Sequence, residues 1–304
     1  MKLHSFKADT VSIDTKTGEY RDPLMRWPLR GAAYTNEVGE AFRPLIGNYA
    51  TLSWAPVFLY IGADVYDKYK NDKTEYSPNS KRLLKQAIFQ GLASMLLPVV
   101  AVKTGQNLFS SFGKFGKDGI SINSQERIVK CAEDFVVNGQ MRAYQGKDEE
   151  CIKAFINKVH NKLDYDKRGK AVNNPFLKIF LKGKDKLKLN NEKLDSFAEN
   201  LIKDLIENRK LMLNPSEEYK STKVYKNYIN ALSQEQTKSV ATKSALIKLL
   251  QQKTLKGKII KTIGGFALVG ALIKPIDVFV ENYIIGKVVG PKIDNLKKPA
   301  KKYL

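Results

Sequence analysis

Positions without charge are gathered into a few runs along this chain. From Leu45 to Ala63 no acid or base occurs apart from the phenols of Tyr49 and Tyr60. Counting Pro44, the run is about 20 residues, the length of a helix that crosses a bilayer core. A second run, Gln86 to Val102, lies between Lys85 and Lys103. Its 17 residues reach the lower limit for a span. Gln90, Gly91, Ala93 and Ser94 give it a small, polar stripe suited to helix contact. Pro98 predicts a kink whose freed carbonyl is satisfied by neighbouring groups. The third run, Thr262 to Ile273, is only 12 residues long and cannot span alone. If Lys261 and Lys274 snorkel, residues 259–280 can. The sequence Lys274-Pro275-Ile276-Asp277 is expected to break this helix and restart it. Gly47, Gly62, Gly265 and Gly270 are expected points of close helix approach.

The polar stretches divide the rest. Residues 1–31 read as a polar arm with breakers at Pro23 and Pro28. Residues 32–43 read as a short charged helix leading into the first apolar run. Its charges have two readings. They keep a helix end in water, or Asn36, Glu37, Glu40 and Arg43 form a polar cluster that docks a second helix, with Asp277 as a distant member. Glu40 and Arg43 stand three apart and can pair. Residues 64–85 form a charged connector that turns at Ser77-Pro78-Asn79-Ser80. From about 113 to 255 the chain is polar, lysine-rich and helical in pattern. Leu194, Phe197, Leu201, Leu205 and Ile206 make one face of a helix over residues 192–211. The expectation is an all-α protein: a membrane-embedded bundle of two or three apolar helices, built from residues 32–112 and 256–292. A basic helical domain, 113–255, is inserted between them, and 293–304 forms a basic tail.

Charge changes this picture only in its partners. Lys and Arg number 52 against 31 acids, a net charge of +21. Such an excess attracts polyanions, either nucleic acid or anionic lipid headgroups. A patch of Lys167, Arg168, Lys170, Lys178, Lys182, Lys184, Lys186 and Lys188, interleaved with apolar residues from Phe176 to Leu181, suits an anionic membrane surface or an RNA backbone. Long uncharged runs in the same chain favour the lipid bilayer, with anionic lipids and other membrane proteins as partners. Catalytic chemistry finds little support. The two cysteines, Cys131 and Cys151, and two histidines, His4 and His160, form no metal-ligand spacing. Gly113, Gly116 and Gly119 are followed by no P-loop Lys-Ser/Thr, and no nucleophile–base pair is visible. No cofactor or metal is expected. Residues 1–40 alternate charge and lack the apolar core of a signal peptide.

Three segments together resemble the mitochondrial fission process protein family. One is the charged lead-in from Tyr34 to Pro44, with its core Asn-Glu-Val-Gly-Glu-Ala-Phe-Arg. Another is Phe89 to Pro98, and the last is Pro275-Ile276-Asp277. The likeness covers roughly residues 21–112 and 256–292. It departs from the family in Lys274, where the family has His, and in about 140 residues lying between the second and third helices. The resemblance implies a divergent member, of the mitochondrial inner membrane if eukaryotic or the cytoplasmic membrane if bacterial. It also implies a non-catalytic role in membrane fission or inner-membrane organisation. Two other readings compete: a basic peripheral protein binding RNA, DNA or anionic lipid through residues 167–188, and an enzyme using Glu37, Glu40 and Asp277 as acid–base groups.

Overall fold

The computed structural model describes Leu24 and residues 29–71, 76–173, 191–234 and 237–296, with backbone alone for 164–173 and 191. Among the described residues the fold is all-α. One isolated antiparallel bridge, Asn71 to Tyr76, is the only extended pairing there. The longer helices are α1 (Thr35–Ile46), α2 (Trp54–Lys70), α3 (Ser80–Phe115), α4 (Ile122–Val137), α5 (Asp148–Asn173), α6 (Asn191–Leu213), α7 (Lys223–Gln234) and α8 (Lys238–Asp294). The chain forms two compact units. The first holds residues 1–106 with 261–304, and the second holds 107–260.

The second unit has an ordinary globular core. Ile128, Phe155, Ile202, Leu205 and Leu250 are fully enclosed, one or more from each of α4, α5, α6 and the first part of α8. Ser121 starts α4 by accepting from the Ser124 amide at 3.2 Å, an N-cap. On α6, Leu194, Leu201 and Leu205 are buried with Ala198 and Ile202, while Phe197 and Ile206 pack at the edge of the same core. The apolar stripe buries because three- and four-residue spacings hold it on one side of the helix. Phe135 meets Phe155 edge-on at 5.5 Å between centroids. Cys131 and Cys151 are buried in this core and are not joined in a disulfide. Burial pushes the Cys151 thiol up to about 11, so the reactive thiolate is scarce at neutral pH. In the native protein both thiols are therefore expected to alkylate at least tenfold more slowly than a free peptide thiol. Full reactivity should return on unfolding, as counted by mass spectrometry after a pulse of iodoacetamide.

The first unit departs from expectation at its first apolar run. Residues 45–63 do not form one helix. α1 ends at Ile46, a 3-10 segment runs from Gly47 to Ser53, and α2 begins at Trp54. Gly47 takes φ +59°, a conformation that only glycine adopts without strain, so the run folds back on itself there. α2 then continues through Asp64 to Lys70, into the stretch expected to be a connector. Pro275 also fails to break its helix. It lies inside α8, whose winding widens to π over Val280–Val289 a few residues later. α3 widens in the same way over Gln90–Leu96. The long apolar flanks on both sides of Pro275 carry α8 across it, as packed helices of apolar units commonly allow.

Two helices, α3 and α8, are long and apolar enough to cross a membrane. They run antiparallel within the first unit. Lys85 Nζ meets the Asp294 carboxylate at 2.8 Å near one end, and Gly105 lies against the Gly264 backbone near the other. Asn79 caps the start of α3 by accepting from the Lys81 amide at 2.9 Å. Ala41, Val102 and Val269 form a small core with Phe266, and Phe42 meets Phe266 edge-on at 5.1 Å. Gly265 presses on Val102 and Gln106, whereas Gly47, Gly62 and Gly270 face open space and are not contact points.

Candidate functional site: a polar cavity in the apolar unit

α1 is built inside out. Asn36, Glu37, Gly39, Glu40 and Ala41 are buried, while Val38, Phe42 and Ile46 are exposed. Prolines explain part of this arrangement. Pro44 has no N–H to give the carbonyl of Glu40, four residues earlier. Gln106 of α3 supplies the missing donor: its Nε2 reaches the Glu40 carbonyl at 2.9 Å and that of Ala41 at 3.3 Å. The relation holds in reverse on α3. Pro98 deprives the Ser94 carbonyl of its usual donor, and Asn36 Nδ2 donates to it at 2.8 Å. Each helix thus fills the backbone vacancy that a proline opens in the other, as apolar surroundings require.

The remaining groups of the charged lead-in separate. Arg43 donates to the Glu40 carboxylate through both Nε, at 2.7 Å, and Nη2. Trp54 Nε1 donates to the same carboxylate at 3.1 Å. Glu40 is thereby engaged within the α1–α2 turn region, and Asp277 is not among its partners. Asp277 instead lies within electrostatic reach of Glu37, Arg30 and Glu281. Of the five residues expected to form one cluster, Asn36, Glu40 and Arg43 tie α1 to α2 and α3, and Glu37 and Asp277 face a cavity.

That cavity has a volume of about 560 Å³. Glu37 and Tyr34 line it from one side, Tyr60 and Asp64 from α2, Gln90 and Ser94 from α3, and Asp277 and Glu281 from α8. Part of its wall comes from both π-wound segments, a winding often found at functional sites. One wall is fixed by a chain of hydrogen bonds. Gln86 and Gln90 both donate to the buried Asp64 carboxylate, the latter at 2.5 Å, and Ser94 Oγ donates to Gln90 Oε1 at 2.5 Å. The Ser94 carbonyl then leads to Asn36. Asp64, Gln86, Tyr60 and Glu281 were not singled out by pattern. Asp64 sits at the seam where the apolar run gives way to charge, and it reads there as the first residue of a connector. A signal was present: Tyr60, Asp64 and Lys68 recur every four residues, on one helical face.

Among the described residues, no three His, Cys, Asp or Glu side chains are placed to hold a metal ion together. The side chains of the expected anionic-surface patch lie outside those described. Lys178, Lys182, Lys184, Lys186 and Lys188 lie outside the described residues, and for Lys167, Arg168 and Lys170 only the helical backbone of α5 is described. Comparison with protein families, with curated proteins and with solved structures gives no match to this chain.

Proposed function

We propose that the chain is an integral membrane protein whose first unit sits in the bilayer and whose role is structural, in membrane fission or the organisation of an inner membrane. The observation that supports embedding is the inverted distribution of the first unit. Only 28% and 22% of the most apolar windows of α3 and α8 are buried inside the protein, whereas core helices of soluble proteins bury most of theirs. Leu59 is 76% exposed and Leu52 72%, while Asn36 is fully buried. Water rewards the opposite arrangement, since each apolar side chain left exposed forgoes roughly 1.5–3 kcal/mol. Hydrocarbon rewards this one, because there the polar groups must find partners inside. The part played in fission rests on the resemblance of residues 34–44, 89–98 and 275–277. The competing reading, RNA or anionic lipid held by residues 167–188, rests on side chains outside the described ones.

Alkaline carbonate extraction of membranes from expressing cells tests the embedding. The full chain should stay in the pellet, and release into the supernatant sinks the integral reading. Protease treatment of intact and opened vesicles then tells which compartment the second unit faces.

A further inference from the structure

We propose that the cavity of the first unit binds a small organic cation, a primary or quaternary ammonium, with Glu37 as its counter-charge. The carboxylate of Glu37 is the starting point. The residue is 5% exposed and lines the cavity, and among the described residues no hydrogen bond or ion pair reaches it. A buried carboxylate left without a partner is costly, and neutralisation by a bound cation removes that cost.

The basic groups on the wall do not supply the neutralisation. Lys85 pairs with Asp294 at 2.8 Å, and Lys68 stands 3.9 Å from the Asp67 carboxylate. Arg30 hydrogen-bonds Tyr34 and is attracted to Asp277. Asp64 is already held by two amides. Glu281 and Asp277 add negative charge around the same space. The groups left without a counter-charge on this wall are carboxylates, which favours a ligand that presents a cation to them.

Size and wall chemistry narrow the class. Calcium needs six to eight oxygen ligands at 2.3–2.6 Å, and magnesium needs near-octahedral oxygens. No three carboxylates converge that way here. The cavity is instead roomy, at about 560 Å³, and presents Tyr34, Tyr60 and Phe89 beside the acids. Aromatic faces with a nearby carboxylate are the chemistry that recognises ammonium groups. Such a group comes from a free amine or from the headgroup of a lipid. The inference needs the geometry of the first unit, not a role in fission.

The test uses the full chain purified in a maltoside detergent, so that it does not depend on membrane extraction. Choline and butylammonium are titrated by calorimetry, with potassium and magnesium chloride at equal ionic strength as controls. Saturable binding of an ammonium, weakened at least tenfold in Glu37→Gln and not matched by the inorganic ions, is the expected result. No saturable binding, equal binding by Glu37→Gln, or equal binding of potassium overturns the proposal. A short-chain phosphatidylcholine below its micellar concentration separates the sources: tighter binding than choline assigns a lipid headgroup, and weaker binding assigns a free amine. If Glu37→Gln does not fold, the wild-type chain decides. Modification of Glu37 by dicyclohexylcarbodiimide, followed by peptide mass spectrometry, should slow at least tenfold under saturating choline. An unchanged rate overturns the proposal.

Discussion

Replacing Asn36 by alanine is expected to lower the unfolding midpoint of the detergent-purified chain, and to do so through Pro98. The amide of Asn36 is the donor to the Ser94 carbonyl, at 2.8 Å and in a fully buried position. Leaving a buried acceptor unsatisfied costs about 1–3 kcal/mol. One term opposes this loss: Asn36 Oδ1 itself has no hydrogen-bond partner, so its removal relieves a smaller cost. The net change should still be destabilising, by on the order of 1–2 kcal/mol. The proline gives the decisive comparison. Pro98→Ala restores a backbone N–H, which can return the Ser94 carbonyl to the helical ladder. In that background Asn36→Ala should cost clearly less, so the double-mutant cycle shows a coupling of at least about 0.5 kcal/mol. Equal losses in both backgrounds would remove Pro98 from the account. Gln106→Ala and Pro44→Ala form the matching cycle on the other side of the contact, where Gln106 serves the Glu40 and Ala41 carbonyls.

This reciprocal contact shows what pattern could reach. Pro98 announced a freed carbonyl, and Asn36 and Glu40 stood out as polar residues beside an apolar run. Nothing in their spacing said that Asn36 answers Pro98, because the two lie on different helices and the pairing is fixed only by packing. The helical class and the stripe on α6 follow from local periodicity, which is carried by neighbours three and four residues away. The fold-back at Gly47 does not. A run of apolar residues is equally compatible with a straight span and with two helices sharing a turn, and the choice rests on a single glycine conformation. Pro275 misled for a related reason. Its effect on a helix depends on what packs around it, and the flanking sequence alone predicted a break. The carboxylates of the cavity were legible as residues but not as a site. Glu37, Asp64 and Asp277 are far apart in sequence, and helices from both ends of the chain bring them to one space.

The antiparallel packing of α3 and α8 depends most on Gly105. A Cβ built there would lie 2.1 Å from the Gly264 carbonyl oxygen, and 2.9 Å from both the Gly264 carbonyl carbon and Leu268 Cβ. The obstacle is mostly backbone, which cannot swing aside as a long side chain can. Gly105→Ala must therefore push one helix away from the other. Overpacking of this kind typically costs about 1–3 kcal/mol, and alanine's better helix propensity returns only about 1 kcal/mol of it. A net loss on the order of 1–2 kcal/mol is expected, and a larger one for Gly105→Leu. Gly270→Ala is the contrast on α8. Beyond its own stretch of helix, no atom lies within 4 Å of its added methyl, so only the propensity term remains and the change should be neutral or stabilising by up to about 1 kcal/mol. The same small-residue logic lets helices approach within membranes, where apolar surface alone gives them no reason to associate. Because α3 and α8 also supply two walls of the cavity, Gly105→Ala should weaken ammonium binding along with stability, while Gly270→Ala should leave binding within twofold. Thermal unfolding and calorimetry on the same two variants check both halves. A Gly105→Ala protein as stable as Gly270→Ala would mean that the backbones of α3 and α8 do not meet at this point.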